Sequence, residues 1–310
     1  MQPRRPIRPI VGVVAPLVVA VCLGGCALGS AGAGSGPGGT ISVVAAENFW
    51  GSIAKQVGGD RVAVTSIITN PDTDPHSYEA TPQDGRLFAT AQLVIVNGVG
   101  YDPWSQGLLA ADPAPGRRVL DVGTLVGIPA GGNPHRWYDP ADVQKVVAQI
   151  AADYSRIDPA DASYVEGQER SFDTVGLGPY HALVNTIRAK YSGTPIGASE
   201  SIVTPLAAAL GLRLLTPQTF LDAISEGNDP TAADKATIDA QIQHGQIKIY
   251  VYNSQNATPD VTAQVRAARA RGIPVVTVTE TLAPAGATFQ AWQVRQLRGI
   301  EAALKRATGH

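Results

Sequence analysis

Sulfur and charge are scarce in this chain of 310 residues. It has two cysteines, Cys22 and Cys26, and one methionine, and no cysteine follows position 26. The globular part therefore has no disulfide framework and no thiolate to select a soft metal. It contains no His-Glu-x-x-His and no nucleophile elbow, which removes the commonest signatures of metallopeptidases and serine hydrolases. Its one long apolar run, Pro9 to Leu23, is too short and wrongly flanked to span a bilayer.

That run sits in an N-terminal segment with a basic start (Arg4, Arg5, Arg8) and small residues after it (Leu23-Gly24-Gly25-Cys26). This is the layout of a secretory signal. Its ending resembles the bacterial lipobox, which implies cleavage after residue 25 and lipidation of Cys26. The alternative is an ordinary signal with an accidental cysteine. A Gly/Ser/Ala-rich stretch to residue 39 then reads as a tether. Removing residues 1–25 takes away three arginines and no acid, leaving 21 basic groups against 26 acidic ones, a balance of −5. That balance argues against nucleic acid and against a polybasic membrane patch as partners. About 270 remaining residues suffice for one large domain or two lobes.

From Ile41 onward the pattern alternates. Ile41–Ala45, Arg61–Ile68, Leu93–Val96 and Arg117–Val122 read as strands, separated by helical stretches such as Phe49–Val57 and Pro82–Ala91. Thr81, Pro82 and Asp84 form a helix start with a capping box. The alternation predicts an α/β fold with parallel sheets covered on both faces. Pro159 to Lys190 is the longest helical stretch, and Gly176, Gly178 and Pro179 should kink or break it. After it the logic repeats, with strands at Pro195–Ala198, Leu212–Leu215, Ile247–Tyr252 and Ile273–Val278. Asn253 ends one buried strand much as Asn97 ends another.

Four groups recur at one structural address, the C-terminal end of a strand or the loop after it: His76, His135, Glu200 and Glu280. Two imidazoles and two carboxylates suit Zn²⁺ or Mn²⁺. Each also has a plainer reading. Loop histidines commonly cap helices or lie on the surface, the reading given to His181, His244 and His310, and Glu200 and Glu280 could each favour a helix N-terminus.

The motifs around these residues carry a resemblance. Asp74-Pro75-His76-x-Tyr78-Glu79-x-Thr81-Pro82-x-Asp84, Asn133-Pro134-His135-x-Trp137, Ser199-Glu200 ahead of Leu210-Gly211-Leu212, and Ile273-Pro274 with Thr279-Glu280-Thr281 are similar to the solute-binding proteins of bacterial zinc and manganese ABC importers. The similarity runs from about Val43 to Leu304. It implies two (β/α) lobes, at 40–158 and 192–310, joined by one long helix at 159–191. It implies a divalent metal, Zn²⁺ or Mn²⁺, as cargo between the lobes, delivered to an ABC permease and its ATPase. A monomer is expected, exported and held by its lipid on the outer face of the cytoplasmic membrane. The family's histidine ligands fall on His76 and His135, its third ligand on Glu200, and its fourth, commonly Asp, on Glu280. The His/Asp/Glu-rich loop of dedicated zinc carriers is missing, since Gly127 to Pro134 holds neither acid nor histidine. Four protein groups suit capture rather than turnover. A metal-binding surface adhesin and a metal-dependent hydrolase are the alternatives. Histidine ligation predicts affinity falling below about pH 6.5.

Overall fold

Apolar runs become buried parallel strands in the computed structural model, which describes residues 39–309. The signal, Cys26, the tether and His310 lie outside them. The first lobe is built from β1 (Ile41–Glu47), α1 (Asn48–Gly58), β2 (Val62–Ile68), α2 (Pro82–Thr90), β3 (Leu93–Val96), α3 (Pro103–Ala111), β4 (Arg118–Asp121), the short α4 (Val122–Val126) and α5 (Pro140–Ile157). Next come α6 (Ala162–Ser171) and α7 (Gly178–Tyr191). The second lobe comprises β5 (Pro195–Ala198), α8 (Val203–Ala209), β6 (Arg213–Leu214), α9 (Gln218–Ser225), α10 (Ala232–Gln243), β7 (Ile249–Asn253), α11 (Pro259–Ala270), β8 (Val275–Val278) and α12 (Phe289–Thr308).

Both sheets have the same order, β2-β1-β3-β4 and β6-β5-β7-β8, with every pairing parallel. In each, chain order reverses between the two central strands, and the crevice beyond their C-terminal ends is where open α/β sheets place ligands. Those ends are Glu47 and Asn97 in one lobe and Ser199-Glu200 and Asn253 in the other. The fold class is thus α/β with parallel sheets, as the alternation predicts, in the two lobes that the family resemblance implies.

Between α6 and α7 the helix opens into a π turn at Phe172–Gly176, and α7 restarts with Pro179 in its first turn. Gly176, Gly178 and Pro179 mark this interruption, which bends the helix without ending it. One expectation needed correcting. β6 is a two-residue strand, and α9, unremarked in the sequence pattern, buries Phe220, Leu221 and Ile224 behind an N-terminus with no side-chain cap.

A continuous apolar core runs from Phe49 and Trp137 in the first lobe to Phe289 and Trp292 on α12 in the second. Its centre is aromatic: Phe49 and Trp137 have ring centroids 4.2 Å apart, and Tyr138 lies 5.8 Å from Trp292. Among the described residues no helix is long and apolar enough to cross a membrane.

Candidate metal centre

His76 stands in a single 3₁₀ turn, Pro75–Ser77, between β2 and α2. Asp74 caps this turn, accepting from the backbone N–H of His76 (3.0 Å) and the hydroxyl of Ser77 (2.9 Å). The loop ends at a complete capping box, in which Thr81 accepts from the backbone of Asp84 and Asp84 Oδ2 accepts from the backbone N–H of Thr81.

His135 arrives from the Gly/Pro-rich loop and is buried. Asn133 sets its tautomer. The Asn133 amide N–H₂ donates to the Ser201 carbonyl at 2.7 Å, so its Oδ1 faces the imidazole and sits 3.0 Å from Nδ1. Nδ1 then carries the proton and Nε2 keeps its lone pair, the form that ligates metals. Burial pushes the imidazole pKa well below its ordinary value, helped by His76 and Arg136, so the ring is neutral around pH 7. Arg136 is turned away into ion pairs with Asp139 and Asp142.

From the second lobe come the carboxylates. Glu200 is fully buried at the end of β5, and Glu280 is half-buried after β8. Asn253 joins them, donating to Glu200 Oε1 at 2.7 Å and to Glu280 Oε1 at 2.6 Å. Burial and the Glu280 charge raise the Glu200 pKa to about 8, against the donors Asn253 and Asn256. Burial also raises Glu280, against the pull of the Tyr101 hydroxyl and His76.

Tyr101 ties the two halves together. Its hydroxyl donates to Glu280 Oε2 at 2.9 Å, and its ring lies 4.9 Å from the His76 ring and 5.9 Å from the His135 ring. The turn that carries it is held by Asp102, whose two oxygens accept from the backbone N–H groups of Asn97 and Gly98, each at 2.8 Å. Val99 in this turn has φ 55, a costly conformation for a β-branched residue of the kind that gathers at ligand sites.

A cavity of 620 Å³ opens beside His76 and His135, with Asp121, Asp222 and Glu226 among its lining, and a smaller one of 180 Å³ joins His76 to Asp72, Asp74 and Glu280. His76, His135 and Glu280 therefore meet around Tyr101 at an acidic inter-lobe cleft, and Glu200, which lines neither cavity, is tied to Glu280 through Asn253. They do not yet form a ligand shell: among the described residues no three His, Cys, Asp or Glu side chains are close enough together to hold one ion.

A sequence profile described as zinc-uptake complex component A, periplasmic, matches residues 43–303. The chain belongs to this family. A relative is the manganese-binding lipoprotein MntA of Halalkalibacterium halodurans, 30% identical over 159 residues, or 49% of this chain and 52% of that protein. Another is the iron-binding protein YfeA of Yersinia pestis, 30% identical over 116 residues, 36% of this chain and 37% of that one. The match thus spans about half or less of the length of these curated relatives. The fold of the family is shared by a solved Mn-bound periplasmic metal binding protein from Candidatus Liberibacter asiaticus, with TM-score 0.70, 19% identity, and coverage of 86% of this chain and 100% of that one.

Within the family frame, sequence reading missed the residues that hold the predicted ligands in place. Tyr101, Asn253 and Asn256 are uncharged, and their partners lie far along the chain. Asn133 stands two residues before His135 in a motif the sequence already showed, and Asn97 and Asn253 end equivalent central strands. His181, on α7 and partly buried against Tyr180, and the exposed His244 stay outside the group around Tyr101.

Proposed function

We propose that this chain is the solute-binding component of a metal ABC importer, capturing a divalent transition metal, Zn²⁺ or Mn²⁺, between its lobes and handing it to a membrane permease driven by an ATPase. The observation that carries this reading is the meeting of His76 and His135 from one lobe with Glu280 from the other around Tyr101 in an acidic cleft, with Glu200 bridged to Glu280 by Asn253. His76, His135, Glu200 and Glu280 are the ligands. His135 offers a neutral Nε2, and the carboxylates supply the charge that M²⁺ neutralises. The carrier has an N-terminal lobe at 40–158, a connecting helical segment at 159–191 and a C-terminal lobe at 192–310. It is exported, monomeric and anchored through Cys26 to the outer face of the cytoplasmic membrane. The relatives are described as binding proteins, in keeping with capture rather than turnover. The Irving–Williams order favours Zn²⁺ at a site of N and O donors, whereas two carboxylates favour Mn²⁺.

The test is thermal unfolding of the chelator-stripped protein with Zn²⁺, Mn²⁺, Ca²⁺ and Mg²⁺ added singly. An ion that binds only the native state, at 100 times its Kd, adds about 2.7 kcal/mol. Zn²⁺ or Mn²⁺ should raise the midpoint in the native chain and in His244→Ala, and fail to do so in His76→Ala and His135→Ala. A midpoint unmoved by every divalent ion would overturn the reading.

A further inference from the structure

The two carboxylates of the cleft sit side by side, and like charges in a dry crevice repel. The segment after β7, Asn253-Ser254-Gln255-Asn256, supplies what holds them. Its three carboxamides all act on the Glu200 and Glu280 loops. Asn253 N–H₂ bridges Glu200 Oε1 and Glu280 Oε1, and Asn256 N–H₂ donates to Glu200 Oε2 at 2.8 Å. Gln255 Oε1 accepts from the backbone N–H groups of Glu280 and Thr281, while its N–H₂ reaches the Pro71 carbonyl in the loop that carries His76.

The orientation of the Asn253 amide is determined by its surroundings. Its Oδ1 accepts from the Gln255 backbone N–H at 2.9 Å, and its own backbone N–H donates to Ser199 Oγ at 3.0 Å. Both amide hydrogens are thereby aimed at the carboxylates. With Tyr101 on Glu280 Oε2, each of the four carboxylate oxygens accepts one hydrogen bond from a neutral donor. An ionised carboxylate oxygen has two lone-pair sites, so one on each remains for a cation.

We propose that Asn253 is the positioning residue for the carboxylate half of the cation site, bridging Glu200 and Glu280 so that both present free lone pairs to one ion, with Asn256 as its second arm. This rests on the reading of those two glutamates as cation ligands. Asn253 does not touch the ion; it acts through the carboxylates it holds. Outer groups that orient metal ligands in this way are worth about 10- to 100-fold in metal affinity.

The experiment uses Co²⁺ as probe, because its visible bands report coordination geometry directly. Co²⁺ affinity and spectrum are measured for the native chain, Asn253→Ala, Glu280→Gln and the double variant. Asn253→Ala should bind one ion about 10- to 100-fold more weakly, with changed bands. The double variant should lose less than the product of the two single losses, by about threefold or more, because the two residues act on the same contact. Unchanged affinity and bands in Asn253→Ala, or losses that simply multiply, would overturn the inference while leaving the metal site standing. A native chain that binds no Co²⁺, or a His76→Ala variant with full affinity, would instead overturn the metal reading and this inference with it. Should Asn253→Ala fail to fold, Asn256→Ala cycled against Glu200→Gln asks the same question with the same two outcomes.

Discussion

Burial raises the acidic groups at the sheet ends, and hydrogen-bond donors pull against it. Glu47 is pushed well above the usual carboxylate range by burial, then by the charge of the neighbouring Asp102 and a hydrogen bond shared with it, and Asp102 is itself raised to about 6. Burial and the Glu280 charge raise Glu200 to about 8 against the pull of its two amide donors. The buried His135 is held neutral, so the proton that competes with a cation near neutrality sits on Glu200. Histidine ligation alone predicts weakening only below about pH 6.5; the burial of Glu200 moves the window upward. Between its unfolded value of 4.5 and about 8, the folded chain binds more protons at Glu200 than the unfolded one. Without a cation, the contribution of Glu200 to stability is therefore present at the acid end and lost as pH rises through that window. Cation binding needs the ionised form and runs the other way. Calorimetric titration at pH 7 in buffers of different ionisation enthalpy should show protons released on Zn²⁺ or Mn²⁺ binding, with affinity climbing until about pH 8. Glu200→Gln should weaken binding and remove most of that release. Binding with no proton release and the same affinity at pH 6.5 and 8.5 would contradict this assignment.

At the scale of elements, the turn of His76 depends on the start of α2. Asp84 Oδ2 accepts from the Tyr78 hydroxyl, the Thr81 backbone and the Thr81 hydroxyl at 2.7–2.8 Å. Thr81→Ala, which removes one arm of the capping box, should cost about 1 kcal/mol, a midpoint lower by about 2–4 °C. Asp84→Ala should cost more, since the Tyr78 hydroxyl and the Thr81 backbone N–H and hydroxyl all lose their buried acceptor, and it should also weaken cation binding by loosening the loop. Thermal melts and metal titrations of the two variants check the order; an Asp84→Ala variant as stable as Thr81→Ala would show that the extra bonds add nothing. This cap was legible in the sequence because Thr81, Pro82 and Asp84 are neighbours. So were the strands, whose apolar runs report burial on both faces, and the bend at Gly176, Gly178 and Pro179. Long-range amide bridging was not legible: Asn253 is 53 residues from Glu200 and 27 from Glu280, and no local period links them. Helix α9 escaped because it is only eight residues long, too short for Phe220, Leu221 and Ile224 to repeat as a helical period. The ligand candidates stood out because the motifs around them resemble those of a known family, whereas position at a strand end left each with a plainer reading and the uncharged groups that hold them are common everywhere.

For the whole molecule, the question is how the lobes move when a cation arrives. Two sets of bonds cross between them. The first lies along the seam of α1 and α12: Gln56 and Gln290 exchange amide hydrogen bonds, Ser52 Oγ accepts from the Phe289 backbone, and the Tyr138 hydroxyl donates to the Thr279 carbonyl. Beneath them runs the shared aromatic core. The second lies at the cleft and involves loops: Tyr101 to Glu280, Asn133 to Ser201 and Gln255 to Pro71. Opening a wide hinge would break the first set and expose the core, whereas gathering the four proposed ligands needs only the second set to adjust. The lobes should therefore stay nearly fixed and the loops should move. No cysteine follows Cys26, so Gln83→Cys and Ala236→Cys, one on each lobe, can be spin-labelled as a pair in the segment 39–310. Their separation should change by less than about 2 Å on adding Zn²⁺, the range of partners that bind without rearrangement. A label at Asp72→Cys, in the His76 loop, paired with the one at position 236 should shift and sharpen. If the first pair closes by several ångströms, release of the metal works by a hinge, and the α1–α12 seam is a surface on which the lobes slide.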